Sequence, residues 1–269
     1  MSLHLFPVTI GKIDPPIHGI LSQPEQKLRT LPTVIYFHGL NGTRNQPFQD
    51  RYRGIAELFQ QRQVNFLSVD LREHGERRHR KHGTPTENIL HMLKEGDANP
   101  IEQAFEDFQR LVEFVIEKQI ARPPHIGAMG LSWGALHAMY ALQQEEQIQT
   151  AVALLPVCCI HSLVEFRKFH NHPKVMPYEP LEFLRTLAPK PLLMITAEKD
   201  TRSRASYASD LYHQLLEDYR RAAAEENLIY AMMLDHGHSF HQRMTELTND
   251  WIDRFLVADH VPSPAAPNE

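Results

Sequence analysis

The sequence has 269 residues, of which 42% are hydrophobic and 23% are charged, and its formal net charge is -5. This composition is that of a globular chain with enough apolar side chains to build a sizeable core. The negative balance lacks the strong basic excess that binding to a phosphate backbone requires, which argues against nucleic acid as a partner.

The start of the chain predicts neither secretion nor membrane insertion. Residues Met1 to Pro7 contain no basic region followed by a long apolar stretch, as a signal peptide would. No apolar run in the sequence approaches the ~18 residues of a membrane span. We therefore expect a cytoplasmic protein with no membrane partner. Cys158 and Cys159 are adjacent, and sequence neighbours rarely reach disulfide geometry, so we expect two buried free thiols.

Apolar runs that predict strands then alternate with amphipathic stretches. Two short runs separated by a pair of prolines, Val8–Ile10 and His18–Leu21, favour a leading antiparallel hairpin. Six further runs are apolar almost throughout, as expected of strands covered on both faces. They are Thr33–Phe37, Val64–Asp70, His125–Leu131, Thr150–Pro156, Pro191–Ala197 and Leu228–Leu234.

The stretches between these runs carry apolar residues at helical spacing, in stripes that begin at Phe48, Ile101, Leu211 and Phe240. Repeated strand and helix units of this kind predict an α/β fold with a mostly parallel twisted sheet of about eight strands flanked by helices. We predict one domain over residues 1–260, with a small cap over about 157–190. The proline-containing end, residues 261–269, is predicted to be a flexible tail.

The run Gly130-Leu131-Ser132-Trp133-Gly134 lies between a predicted strand and a predicted helix. In a nucleophile elbow the serine sits on a sharp strand-to-helix turn with a strained backbone. Small residues on both sides let neighbouring segments approach, and the free N–H groups at the start of the helix favour developing negative charge. Ser132 is the predicted nucleophile, and an ordinary serine in a tight turn is the alternative.

A His-Gly pair follows the first parallel strand, in the run His38-Gly39-Leu40-Asn41-Gly42. The oxygen of a tetrahedral intermediate needs one N–H from the residue after the nucleophile and one from the loop after this strand. We assign the backbone N–H groups of Leu40 and Trp133 to this oxyanion hole.

On these motifs the sequence resembles the α/β-hydrolase superfamily, and within it the small dienelactone-hydrolase-like and serine esterase group. The likeness covers nearly the whole chain and also rests on the runs Asp70–Arg77, Ala197–Asp200 and Gly237–Phe240. The first of these departs from the family run Asp-x-Arg-Gly-His-Gly, because Glu73 stands where glycine is usual. This departure touches a structural loop and leaves the predicted catalytic residues in place.

The fold implies a triad in the chain order serine, acid, histidine, and Ser132, Asp200 and His238 obey it. The acid and the histidine each follow a predicted strand, at the carboxyl ends where α/β sheets place their sites. A neutral imidazole would accept the serine proton while the carboxylate holds its other nitrogen. Glu198 is the alternative acid and His236 the alternative base.

Seventeen histidines raise the alternative of a metal site. Neither of the two histidine clusters has the His-Glu-x-x-His spacing or the paired cysteines of familiar zinc sites, so we expect no metal and no cofactor. The clusters are His74, His79, His82 and His91, and His236, His238 and His241.

The motifs together predict a serine hydrolase that cleaves carboxylic esters of short or medium acyl groups through an acyl-enzyme, with a small-molecule ester as substrate. The cap is too short for the large lid of an interfacial lipase, and the long connection 79–97 is a second contributor to specificity. A peptidase or amidase for small substrates and a catalytically silent binding protein are the alternatives. The residues expected to line the substrate pocket are Leu131, Cys158, His161, Met176 and Tyr178.

Overall fold

The computed structural model describes residues 3–11, 15–24, 30–78, 83–96 and 98–258. The predicted tail 261–269 and two of the histidines considered as metal ligands, His79 and His82, lie outside the described residues. None of the described helices is both long enough and apolar enough to cross a lipid bilayer.

Eight strands form one sheet, and this confirms the predicted fold class. Their order across the sheet is β1-β2-β4-β3-β5-β6-β7-β8. The first two strands form the predicted antiparallel hairpin, β2 is antiparallel to β4, and all pairs from β4 to β8 are parallel. The strands are β1 (His4–Ile10), β2 (Ile17–Gln23), β3 (Thr33–Phe37), β4 (Asn65–Val69), β5 (Ile126–Leu131), β6 (Ile148–Leu154), β7 (Leu192–Ala197) and β8 (Leu228–Met233).

Strand β6 shows where apolar runs misplace a boundary. The run predicts Thr150–Pro156, whereas the strand begins at Ile148 and ends at Leu154. Its pairing with β5 begins at Ile148, one residue before the polar Gln149. It ends where Leu155, with a φ of 50°, leaves the extended conformation. Pairing and a local turn, rather than hydrophobicity, therefore set both ends.

Helices cover both faces of the sheet. The helix at residues 85–95 was not predicted, although Thr84 and Glu87 form a capping box before it and Pro85 is its first residue, which is a readable start signal. The helices are α1 (Arg53–Gln61), α2 (Pro85–Glu95), α3 (Pro100–Glu117), α4 (Trp133–Gln144), α5 (Pro180–Phe183), α6 (Ala205–Arg221) and α7 (Arg243–Ile252).

Alternate side chains of β3 enter two separate hydrophobic cores. Ile35 and Phe37 pack with α3, α4 and α6, whereas Val34 and Tyr36 pack with α1 and α7. This is the two-sided burial that the continuous apolar runs predict. Since β3 to β8 are parallel, their carboxyl ends meet at one edge of the sheet, and the loops that follow them form the candidate site.

The segment predicted to be a cap, residues 157–190, contains little regular structure. Three short 3-10 turns, Ile160–Ser162, Arg167–Phe169 and Met176–Tyr178, precede the four-residue helix α5. The ring of Phe166 from this segment stacks on Trp133 at the start of α4, with 5.2 Å between the ring centroids. The segment therefore packs on the helix that follows the candidate nucleophile.

Candidate active site

The backbone between β5 and α4 has the geometry of a nucleophile elbow. Ser132 has φ 58° and ψ -112°, a conformation that is strained for a residue with a side chain. A Cβ on Gly130 would lie 2.1 Å from the carbonyl oxygen of Gly134, and a Cβ on Gly134 would lie 1.9 Å from that of Phe37. Both glycines are thus required by close backbone approach, and Ser132 is held at the tip of the turn.

Three side chains from three loops form one hydrogen-bonded chain. The Nε2 atom of His238 lies 2.9 Å from Oγ of Ser132, and its Nδ1 lies 2.7 Å from Oδ2 of Asp200. The other carboxylate oxygen of Asp200 accepts the backbone N–H groups of Arg202 and Ser203 at 2.9 and 2.8 Å. The Asp200 side chain is fully buried, so these bonds hold it in a single orientation.

Glu198 and His236, the alternative acid and base, contact other residues. The Oε2 atom of Glu198 accepts the backbone N–H of Asp235 at 2.9 Å. The ring of His236 stacks on His241, with 4.3 Å between centroids. The structure therefore brings Asp200 and His238 to Ser132, and the hydrogen bonds between described residues join neither Glu198 nor His236 to it.

In the loop after β3, the N–H groups on both sides of Leu40 have partners. The N–H of Gly39 donates to Oε1 of Gln46 at 2.9 Å, and that of Asn41 donates to Nε2 of His74 at 3.3 Å. Between them, Leu40 has no partner for its N–H among the described hydrogen bonds, and neither has Trp133 at the start of α4. These are the two donors that the sequence assigns to the oxyanion.

Two polar side chains hold this loop, Gln46 at the pocket and the buried His38, and the sequence did not single out Gln46. Gln46 accepts a hydrogen bond from the Tyr36 hydroxyl at 3.1 Å as well as from the loop. His38 donates from Nδ1 to the carbonyl of Gly39 at 2.9 Å and accepts the N–H of Leu71 at Nε2 at 3.1 Å. Burial lowers the pKa of His38 to about 4, so it is neutral and can accept that bond.

The loop Asp70–Arg77 packs against the same histidines. The ring of His74 lies 4.8 Å from that of His38, and burial lowers its pKa to about 3. Glu73 is buried and has a φ of 62°, the left-handed conformation that glycine adopts most easily. The residue that departs from the family pattern therefore keeps the backbone conformation that explains the glycine there.

A profile of the α/β hydrolase fold matches residues 32–256. The chain belongs to the α/β-hydrolase fold family. A comparison with curated protein sequences finds no match. These comparisons support the superfamily and do not single out the dienelactone-hydrolase-like group.

Solved structures of this family include esterases and peptidases that resemble the chain. An esterase from Pyrococcus furiosus is 18% identical with a TM-score of 0.67, and the match covers 95% of this chain and 94% of the esterase. The acylaminoacyl peptidase from Pyrococcus horikoshii is 18% identical with a TM-score of 0.71, and the match covers 95% of this chain but 42% of the peptidase. At these identities the likeness shows the shared fold.

The pocket in front of Ser132 in this α/β-hydrolase has a volume of about 260 Å³. An ion pair stands in its wall, because Nη2 of Arg202 lies 2.8 Å from Oε1 of Glu165. Polar and apolar residues together form the wall: Gly39, Leu40, Asn41, Gln46, Tyr52, Leu131, Ser132, Leu155, Glu165, Arg202, His238, Ser239 and Phe240.

Of the five residues expected to line this pocket, Leu131 does so and the other four do not. Cys158 is buried in the core, and Met176 is exposed. The ring of Tyr178 packs on aromatic residues of α3 and α5, and His161 pairs with Glu179. The expectation was wrong for these four because the segment folds against α3 and α4, and its pocket residue is Glu165.

Proposed function

We propose that this protein is a serine hydrolase that cleaves carboxylic esters with short acyl groups through an acyl-enzyme. The observation that carries the proposal is the chain of hydrogen bonds from Asp200 through His238 to Ser132, at 2.7 and 2.9 Å. A nucleophile, a base and a group that orients the base in this geometry are what acyl transfer requires.

In the proposed reaction His238 accepts the proton of Ser132 at Nε2 as the hydroxyl oxygen attacks the carbonyl carbon of the ester. The Asp200 carboxylate, fixed by two backbone N–H groups, keeps the Nδ1 proton of His238 in place and stabilises the imidazolium that forms. The N–H groups of Leu40 and Trp133 hold the negative oxygen of the tetrahedral intermediate.

His238 then gives the proton to the alkoxide leaving group, and the acyl group stays on Ser132. A water molecule attacks the acyl-enzyme in the second half of the reaction, with His238 again accepting and returning the proton. The acid is released and the serine hydroxyl is restored, so the cycle needs no group beyond those described above.

The size and the lining of the pocket favour short acyl groups. Its volume of about 260 Å³ lies below the ~300–1,000 Å³ of pockets for drug-sized ligands. The Arg202–Glu165 ion pair in its wall is a poor surface for a long hydrocarbon chain, because the chain would displace water from both charged groups and offer no hydrogen bond in its place. A cytoplasmic location belongs to the same proposal and is supported by the free thiols of Cys158 and Cys159.

A labelling experiment with matched variants tests the catalytic assignment. We expect a fluorophosphonate probe to label the wild-type protein and Ser206→Ala, which changes an exposed serine of α6, and not to label Ser132→Ala. Replacing His238 by Ala should lower kcat by orders of magnitude, whereas His236→Ala should keep the wild-type value. An unlabelled wild-type protein that cleaves no ester would identify a binding protein instead.

A substrate series tests whether an ester or an amide bond is cleaved and which acyl length is preferred. Rates with p-nitrophenyl esters of increasing chain length, compared with peptide anilides, separate an esterase from a peptidase. We expect kcat/KM to be highest for the shortest acyl groups and to fall as the chain lengthens. A higher kcat/KM for anilides than for every ester would instead establish the peptidase alternative.

A further inference from the structure

A second cluster of reactive side chains lies in the segment after β6, outside the pocket of Ser132. Sγ of Cys159 lies 3.4 Å from Nε2 of His161, and Nδ1 of His161 lies 2.8 Å from Oε1 of Glu179. A sulfur, a nitrogen and a carboxylate oxygen from these residues all lie within 4.8 Å of one another. The proposed ester hydrolysis uses none of the three.

The backbone fixes the carboxylate of this cluster. The two oxygens of Glu179 accept the N–H groups of Ile160 and His161 at 2.8 and 3.0 Å, which ties the turn that carries the histidine to a residue 18 positions further along. Oε1 also lies 2.8 Å from Nδ1 of His161, so Oε2 is the oxygen that keeps a lone pair for a further ligand among the described hydrogen bonds. The cluster is therefore arranged before any ligand arrives.

The cluster combines burial with an open side. Cys159 and Glu179 are buried, whereas the side chain of His161 is 44% exposed. The cluster is therefore open to solvent on the side of the imidazole.

We propose that Cys159, His161 and Glu179 bind a divalent cation of the zinc type. In a tetrahedral zinc site the bonds of ~2.0–2.3 Å place ligand atoms roughly 3.3–3.6 Å apart. The 3.4 Å between Sγ of Cys159 and Nε2 of His161 falls in this range, and one ligand atom from each of the three residues lies within 4.8 Å of the other two, so the Glu179 carboxylate needs a small adjustment to reach the cation. One thiolate, one imidazole and one carboxylate form a mixed ligand set that suits this cation and neutralises its charge. Three protein ligands leave a fourth position for water on the exposed side.

The protonation of the thiol gives the proposed site a definite pH dependence. A cysteine binds a metal ion as the thiolate, after its thiol has lost a proton. Binding must release that proton to form the metal–sulfur bond. The affinity should therefore rise with pH, and the proton released per cation is a second measurable quantity.

Cobalt(II) is a suitable probe, because a cysteine ligand gives it a sulfur-to-metal charge-transfer band and tetrahedral coordination gives it strong visible bands. The untagged, reduced protein is titrated with cobalt(II), and zinc(II) is then added in competition. We expect one cobalt per chain, the charge-transfer band, and its loss when zinc displaces the cobalt.

Four variants locate the site. Cys159→Ala should abolish the charge-transfer band, and His161→Ala and Glu179→Gln should weaken binding at least tenfold, on the scale of ~10–100-fold per lost interaction. Cys158→Ala, which changes the adjacent cysteine outside the cluster, should keep the wild-type band and stoichiometry.

Three outcomes overturn the proposal: a wild-type protein that gives no charge-transfer band at saturating cobalt, a band that persists in Cys159→Ala, or a cobalt affinity in His161→Ala equal to that of the wild type. The exposed position of His161 makes its variant informative even if the cysteine variant fails to fold. Because no step of the titration depends on Ser132, these outcomes are independent of ester hydrolysis.

Discussion

Three buried histidines should make this protein sensitive to mild acid. Burial lowers the pKa of His38 and His137 to about 4 and that of His74 to about 3. The Nδ1–H of each ring donates to a backbone carbonyl, and Nε2 of His38 and of His74 accepts a backbone N–H. Protonation would therefore place a charge in the protein interior at each of the three sites. At His38 and His74 it would also replace an acceptor nitrogen by a donor.

The size of the effect follows from the difference in proton binding between the two states. The unfolded histidines titrate near pH ~6.5, so below that pH the unfolded chain binds more protons and the free energy of unfolding falls. The contribution of the three neutral histidines to the free energy of unfolding is complete above pH ~6.5. It is lost as the pH falls toward their pKa values in the folded protein. From pH 7 to pH 5 each histidine costs about 2 kcal/mol, or about 6 kcal/mol for three, compared with a typical total of ~5–15 kcal/mol.

Urea unfolding at pH 7 and pH 5, followed by tryptophan fluorescence, measures this difference. His137→Gln removes one of the three groups, so the loss between the two pH values should shrink from about 6 to about 4 kcal/mol. The control is His213→Gln, an exposed position on α6 that should keep the full wild-type loss. A wild-type loss under about 2 kcal/mol, or an unchanged loss in His137→Gln, would refute the reasoning.

Three further substitutions test the site and the elbow. Asp200→Asn should lower kcat for ester hydrolysis by roughly 10⁴-fold with unchanged thermal stability, and a loss below about tenfold would contradict its orienting role. Gln46→Leu removes the acceptor for the Gly39 N–H, so kcat should fall about tenfold or more with KM little changed; a rise in KM alone would contradict this. Gly134→Ala should abolish soluble folding. The control Gly54→Ala should fold, because its new methyl group would lie 3.9 Å from the nearest atom. Normal melting curves for both variants would contradict the steric argument.

The sequence predicted those features that depend on residues close together in the chain. Continuous apolar runs identified the strands because burial on both faces leaves no room for polar alternation. The elbow around Ser132 could be predicted because a strand, a tight turn between glycines and a helix are all local structures. The capping box at Thr84 is equally local, and it indicates the start of helix α2.

Pairing between distant segments was decided by the tertiary structure. The sequence favoured Asp200 and His238 and left Glu198 and His236 as alternatives, because the directions of side chains two residues apart in a loop depend on how the loop folds. The fold directs Asp200 and His238 toward Ser132 and engages both competitors elsewhere. Local sequence carries no information on such directions.

The segment after β6 shows the same division most clearly. From sequence, four of its residues were expected to line the substrate pocket, but all four lie outside the pocket wall and the segment contributes Glu165 instead. The approach of Glu179 to Cys159 and His161 joins parts of the chain with no recognised ligand spacing. The sequence alone thus determined the sheet and the elbow through local burial and turn geometry, and only long-range packing decided which side chains meet.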